Sequence, residues 1–212
     1  MELTIIQKIA AYAIPIIFAI TVHESAHGYA ARYFGDMTAH YLGRITLNPL
    51  KHIDPVGTII LPALSVMLGG ILFGWAKPVP VNFSNLRSPK KNMMWVALAG
   101  PFSNLLMAIF WTFLFARLQI FPDSSIIFLS AMALAGIQIN LILMVLNMLP
   151  IPPLDGGKVA ISLLPYPWSS HLENIERYGL FIIIFLLFSG VLGNILFPLI
   201  NISKSIIFSI FG

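Results

Sequence analysis

The sequence contains no cysteine and very little charge. Without cysteine it can form no disulfide, no thiolate metal site and no cysteine nucleophile, so any metal or catalytic centre must draw on His, carboxylate, Ser, Thr or Lys. Charged residues make up 9% of the 212, against about 25% in soluble domains, which leaves too few polar side chains to coat a water-soluble globule. Acidic residues number 8 against 12 Lys and Arg. The resulting +4 is spread over several loops, which marks membrane orientation and not a nucleic-acid footprint. No internal repeat or low-complexity tract stands out. What the chain does have is apolar surface: 58% hydrophobic residues and a mean hydropathy of +0.89. These values predict an all-α polytopic membrane protein. Spans of ~20 residues, about five of them, consume about half the length and leave no room for a separate soluble domain of ordinary size. The expected unit is therefore one membrane-embedded domain over 1–212, with a core at about 5–160 and C-terminal helices at about 170–212.

The first apolar stretch runs from Ile5 to Ala31, interrupted by Lys8, Pro15 and the cluster Thr21, His23, Glu24, Ser25 and His27. As a helix it is ~40 Å long, enough to cross a bilayer. It lacks a strong basic leader and carries polar residues where a cleavage site would sit, so it is expected to stay in the mature protein. Further apolar stretches are Val56 to Phe73, Met93 to Phe115, Ile126 to Leu149 and Leu180 to Phe197, with an apolar tail to Phe211. The second contains Pro62, Gly69 and Gly70, and basic residues flank it on both sides: Arg32, Arg44 and Lys51 before, Lys77, Arg87, Lys90 and Lys91 after. A full crossing would strand one basic cluster on the wrong side, so 56–73 is expected to re-enter or insert partly, with a full span as the alternative. The run Lys77-Pro78-Val79-Pro80-Val81-Asn82 predicts a short extended or edge-strand region. Ser170 with Glu173 fits a capping box opening the last helix.

His23-Glu24-Ser25-Ala26-His27 is the sharpest chemical feature. Residues i and i+4 share a helix face, so both imidazoles can point at one ion, while Glu24 is rotated by about 100°. That is the geometry of a zinc protease, in which the metal activates water and the glutamate moves its proton. Random placement of five His and four Glu would give this spacing roughly two times in a thousand, and two His and a Glu inside an apolar helix are costly unless they face a partner or cavity. The alternative is a satisfied polar cluster.

A catalytic zinc usually has three protein ligands. Candidates for the third are Asp36, His40, His52, Asp54, Asp123, Asp155, His171, Glu173 and Glu176; most sit in polar loops, where a solvated surface role is the plain reading. Asp155 differs. It closes Asn147-Met148-Leu149-Pro150-Ile151-Pro152-Pro153-Leu154-Asp155-Gly156-Gly157, where prolines interrupt the helix and the glycines permit a tight turn holding a carboxylate inward; an ordinary Asp-Gly turn at a membrane exit is the bland alternative. Parity gives a separate check. If 56–73 re-enters, two crossings separate the His pair from Asp155 and both half-sites lie on one side.

These residues, with Gly74-Trp75-Ala76-Lys77-Pro78-Val79-Pro80-Val81-Asn82, Ala99-Gly100-Pro101-Phe102-Ser103-Asn104 and Asn147-x-x-Pro150, resemble the site-2 protease family of intramembrane zinc metalloproteases, over about residues 20–160. The resemblance is to a compact form without PDZ or CBS domains. It implies that His23, His27 and Asp155 bind Zn2+, that Glu24 is the catalytic acid/base, and that Asn147 is the active-site Asn whose amide donates to the oxyanion. Asn147 as a cap on the broken helix is the alternative, and Asn104 is read as a helix-packing residue. The family cuts a transmembrane segment of a protein substrate, releasing a cytosolic regulator, and the substrate backbone is expected to pair near 78–82. The expected location is a multi-pass protein of the cell (inner) membrane with its active site toward the cytoplasm; no nucleic-acid partner is expected. Two other readings are a metal transporter or catalytically inactive zinc-binding membrane protein, and a soluble-type metalloprotease using Glu173 or Glu176 as ligand.

Overall fold

The structure is a computed structural model describing residues 3–60, 74–120 and 126–211. Helix α1 (Ile5–Phe34) opens with a capping box: Thr4 Oγ1 accepts from Gln7 N–H at 3.3 Å and Gln7 Oε1 accepts from Thr4 N–H at 2.9 Å. It closes at Gly35, whose φ of 114° lets Asp36 N–H reach back to Ala31 O at 2.9 Å. A single turn, α2 (Thr38–Tyr41), and short 3-10 and π turns at Pro49–Lys51 and Pro55–Ile60 follow. Then come α3 (Pro89–Leu118), α4 (Ile126–Asn147), α5 (Asp155–Leu163), α6 (Trp168–Glu176), α7 (Gly179–Phe188) and α8 (Val191–Phe211).

Helices α1, α3 and α4 pack on one another as the central bundle, with α5 against α3 and α8 against α3 and α4. Ala108 and Trp111 of α3 meet Ala133, Ile137 and Leu141 of α4, and Ile207 of α8 closes this cluster. The close approach depends on Gly136, where a Cβ would overlap the Trp111 indole. Around the bundle, large apolar side chains such as Ile6, Phe18, Phe110, Phe181 and Phe197 face outward. That is the arrangement of a lipid-facing surface. Four described helices, α1, α3, α4 and α8, are long and apolar enough to cross a membrane. The chain is an all-α, multi-pass membrane protein.

Three local expectations are corrected. The stretch 180–197 is not one span. Gly190, at φ 77°, breaks it into the ten-residue α7 and the longer α8, and ten residues reach only ~15 Å. Ser170 does not open a helix, because α6 already starts at Trp168 with Pro167 at its N-cap. The segment 74–82 forms no described strand: Pro78 and Pro80 lack N–H groups, and the N–H groups of Val79 and Asn82 donate to the carboxylates of Glu24 and Asp36 at 2.7 Å each. The stretch 56–73, expected to re-enter or insert partly, lies mostly outside the described residues.

Asp36 ties the end of α1 to this segment. Its fully buried carboxylate accepts from Thr38 Oγ1 at 2.5 Å, Thr38 N–H at 3.1 Å, Asn82 N–H at 2.7 Å and Asn85 Nδ2 at 3.1 Å. Burial opposes the charge, but these donors outweigh it and hold the carboxyl below its ordinary pKa. A depressed value means stability that is present above the unfolded pKa of about 4 and lost as pH falls through the folded value. Asp36→Asn is therefore expected to lower stability by about 2 kcal/mol at pH 7. The gap in Tm between the metal-free wild type and variant should narrow between pH 5 and pH 3; a constant gap would contradict this.

Candidate metal centre

On α1 the residues Ala11, Pro15, Ala19, His23, His27 and Ala31 are all buried at strict i, i+4 spacing. The small members of this stripe let α3 approach closely, and the two imidazoles take the space that remains. Gly100 of α3 supplies the other half of that space: a Cβ there would overlap His27 Nε2 and crowd the His23 ring. The rings are fixed at their Nδ1 atoms. His27 Nδ1–H donates to Val96 O at 2.8 Å, and His23 Nδ1 lies 2.5 Å from Asn104 Oδ1.

Asp155 arrives from the far end of the chain. It is the first residue of α5, not part of a tight turn as its glycines suggested, and Gly156 and Gly157 have no positive φ. Their lack of a side chain serves close packing instead. A Cβ on Gly156 would overlap Met148 O and Leu149 O, and one on Gly157 would strike the Pro152 backbone. The first turn of α5 thus lies directly on the chain leaving α4, which swings the Asp155 carboxylate toward α1.

Asp155 Oδ2 lies 3.2 Å from His23 Nε2 and 3.3 Å from His27 Nε2, and the two Nε2 atoms are 3.1 Å apart. With protons on both Nδ1 atoms, neutral imidazoles present lone pairs at Nε2, so three acceptors converge on one point. Asp155 Oδ2 is buried without a hydrogen-bond partner. A single cation at the centre would satisfy all three acceptors at once. For tetrahedral zinc with bonds of about 2.0–2.1 Å, the ligand atoms stand ~3.3 Å apart, which matches these edges. Among the described residues this is the one group of three His or carboxylate side chains able to share an ion.

Glu24 lies beside the triangle, off the ligand stripe and half-buried. Its Oε2 accepts from Val79 N–H at 2.7 Å. The segment carrying Val79 is itself anchored: Arg44 Nη2 donates to Lys77 O at 3.1 Å and Pro78 O at 3.2 Å, and Lys77 N–H donates to His52 O at 2.9 Å. Asn147, the last residue of α4, donates through Nδ2 to Leu143 O at 3.0 Å, the helix-end arrangement.

The other candidate ligands lie elsewhere. Asp54 caps the turn at Pro55–Ile60 through Val56 and Gly57 N–H, and His52 is buried with Nε2 donating to Thr46 O at 2.9 Å. His40, His171 and Glu173 are exposed, Glu176 pairs with Lys158 at 3.0 Å, and Asp123 lies outside the described residues. Glu173 and Glu176 are thus not part of the three-residue group. Sequence reasoning missed Val96, gave Gly100 no role, expected Val79 to meet substrate and not Glu24, and took Asn104 for packing alone. The signal for Asn104 was an amide inside an apolar helix.

Fold and site together define a membrane-embedded zinc metalloprotease. Residues 118–190 match the model of Peptidase family M50. Relatives that bear the name putative zinc metalloprotease include the following three. The chain is 38% identical over 204 residues to YwhC of Bacillus subtilis, covering 94% of this chain and 90% of that protein. Identity to Rip2 of Mycolicibacterium smegmatis is 34% over 187 residues, 87% and 69% of the two chains. Identity to MJ0611 of Methanocaldococcus jannaschii is 30% over 150 residues, 69% and 66%. No solved structure matches the chain significantly. The chain belongs to peptidase family M50, the site-2 proteases, and its cofactor is zinc.

The space at Gly100 gives a direct expectation. Gly100→Ala places a methyl where His27 Nε2 lies, and the ring cannot retreat while its Nδ1–H is bound to Val96 O. Zinc content of the purified variant should fall well below one per chain, with helicity kept; full zinc loading would contradict it.

Proposed function

We propose that this protein is an intramembrane endopeptidase that hydrolyses a peptide bond in or beside a transmembrane segment of a membrane-protein substrate, as the cutting step of regulated intramembrane proteolysis. The observation that carries this reading is the convergence of His23, His27 and Asp155 next to Glu24 inside the helix bundle. His23 lies eleven residues before the end of α1, ~16 Å along its axis, so the site is sunk below the helix ends.

In this reading His23, His27 and Asp155 hold the zinc, which when bound makes water nucleophilic near neutral pH and polarises the scissile carbonyl. Glu24 takes the proton of the attacking water and delivers it to the leaving amine. Its Oε2 is held by Val79 N–H, which leaves the second oxygen for the proton. Asn147 acts on the oxyanion by releasing Leu143 O and turning its Nδ2 toward the substrate carbonyl. Because Val79 N–H is spent on Glu24, a substrate strand added along 78–82 has few main-chain donors to meet there.

Arg32, Arg44, Lys51, Lys77, Arg87, Lys90, Lys91, Lys158 and Arg177 lie on the elements around the site end of the bundle, whereas Lys8 and Arg117 lie at the opposite ends of α1 and α3 and Lys204 lies beside Phe208, which packs on Phe115 toward that far end. This bias supports a site facing the cytoplasm of a cell membrane. Where the stretch 56–73 begins and just after it ends, Trp75 N–H donates to Gly57 O at 3.0 Å and Thr58 Oγ1 to Trp75 O at 2.9 Å, which supports one side for both basic clusters. As the chain has no native cysteine, single cysteines at Lys51 and Lys91 report topology cleanly. Both should label from the cytoplasmic side; labelling from opposite sides would reject the topology. In liposomes, a labelled single-span substrate should be cut in or next to its span. Equal cleavage of the same sequence presented as a soluble peptide would reject the intramembrane reading.

A further inference from the structure

Two asparagines buried in the apolar bundle, Asn104 on α3 and Asn140 on α4, have no part in the chemistry assigned so far, and both are completely excluded from solvent. A buried carboxamide in a membrane helix is costly unless each end of its amide finds a partner. Here the partners run in one direction. Asn140 Nδ2 donates to Gly136 O at 2.8 Å, Asn104 Nδ2 donates to Asn140 Oδ1 at 2.9 Å and to Ala19 O at 3.4 Å, and Asn104 Oδ1 lies 2.5 Å from His23 Nδ1.

The polarity of this chain is fixed by its ends. A main-chain carbonyl can only accept, so Gly136 O requires the NH2 of Asn140, which turns Asn140 Oδ1 toward α3. That oxygen, together with Ala19 O, requires the NH2 of Asn104. Asn104 Oδ1 is then the atom left for His23, and it too can only accept. His23 must therefore carry a proton on Nδ1, and the neutral ring has its lone pair on Nε2, the atom aimed at the metal position. His27 reaches the same state in one step, from Val96 O. We propose that Asn104 and Asn140 are positioning residues that set the tautomer and ring orientation of His23, so that a carbonyl on α4 dictates a ligand on α1 through α3. The inference rests on His23 being a zinc ligand. Loss of such an outer partner typically costs 10–100-fold in metal affinity.

The test uses the full chain in detergent, with zinc alone as probe and two readouts: zinc affinity by chelator competition, and the His23 tautomer in the metal-free protein by 15N imidazole NMR, its signals assigned by their loss in His23→Gln. In the wild type, His23 should be the Nδ1–H tautomer. Asn104→Leu should lower zinc affinity by about 10–100-fold and give mixed tautomers. Asn140→Leu leaves Asn104 oriented by Ala19 O alone and should give a smaller loss in the same direction; it carries the test if Asn104→Leu does not fold. Affinity within twofold of wild type with an unchanged tautomer in the folded variants would overturn the proposal, even if Tm fell, since that is the mark of packing alone. An Nε2–H tautomer in the wild type would overturn it too. A wild type that binds no zinc would instead reject the metal centre itself.

Discussion

Glu24→Gln is expected to leave zinc content at the wild-type level while lowering the rate of substrate cleavage by about a hundredfold to ten-thousandfold, the range for loss of a positioned general acid/base. Glutamine has the same length, and its oxygen can still accept from Val79 N–H, so the segment over α1 stays docked. It is not one of the three atoms that converge on the metal position. What it cannot do is take a proton from water near neutral pH. The loss should therefore fall on kcat, with KM little changed. Cleavage by the variant within tenfold of wild type, measured on the same reconstituted substrate, would remove Glu24 from the role proposed for it.

Asp155→Ala should act on the metal itself. Without its carboxylate the two Nε2 atoms, 3.1 Å apart, are left as a two-ligand site, short of the three protein ligands that catalytic zinc requires. Zinc affinity should drop by about a thousandfold or more, since metal binding depends on the full donor set. The zinc-dependent rise in Tm, which follows from binding to the folded state alone, should vanish with it. Cleavage should be undetectable at wild-type zinc levels. A variant that kept both full zinc loading and the thermal shift would mean that another residue holds the metal.

The grouping of His23, His27 and Asp155 was legible in the sequence because half of it is local geometry and the other half was marked by a broken helix. The i, i+4 spacing of His23 and His27 is a property of any helix, and Asp155 was singled out by the proline-interrupted chain after α4 and by crossing counts. What was not legible depends on how helices meet. Gly100 looks like any small residue until the two imidazoles occupy the space beside it. Asn104 looks like a packing amide until Asn140 and Ala19 fix which of its ends faces His23. Gly156 and Gly157 signalled a turn, yet they sit in a helix whose backbone presses on residues 148–152. Gly190 sits within a nearly continuous apolar run, so hydropathy alone could not show that the chain turns there. The Pro-Val alternation suggested an extended or edge-strand region, but no strand forms there, since two carboxylates far away in sequence take the N–H groups that a strand would need.

X-ray absorption at the zinc edge of the purified, metal-loaded wild type tests the shared grip of α1 and α5 on one ion most directly. The account predicts a first shell of nitrogen and oxygen donors at about 2.0–2.1 Å with the scattering of two imidazoles, reduced to one imidazole in whatever metal His23→Ala or His27→Ala retains, and zinc lost from Asp155→Ala under the same loading. A wild-type spectrum with one imidazole or none, or one that Asp155→Ala leaves unchanged at full occupancy, would contradict it.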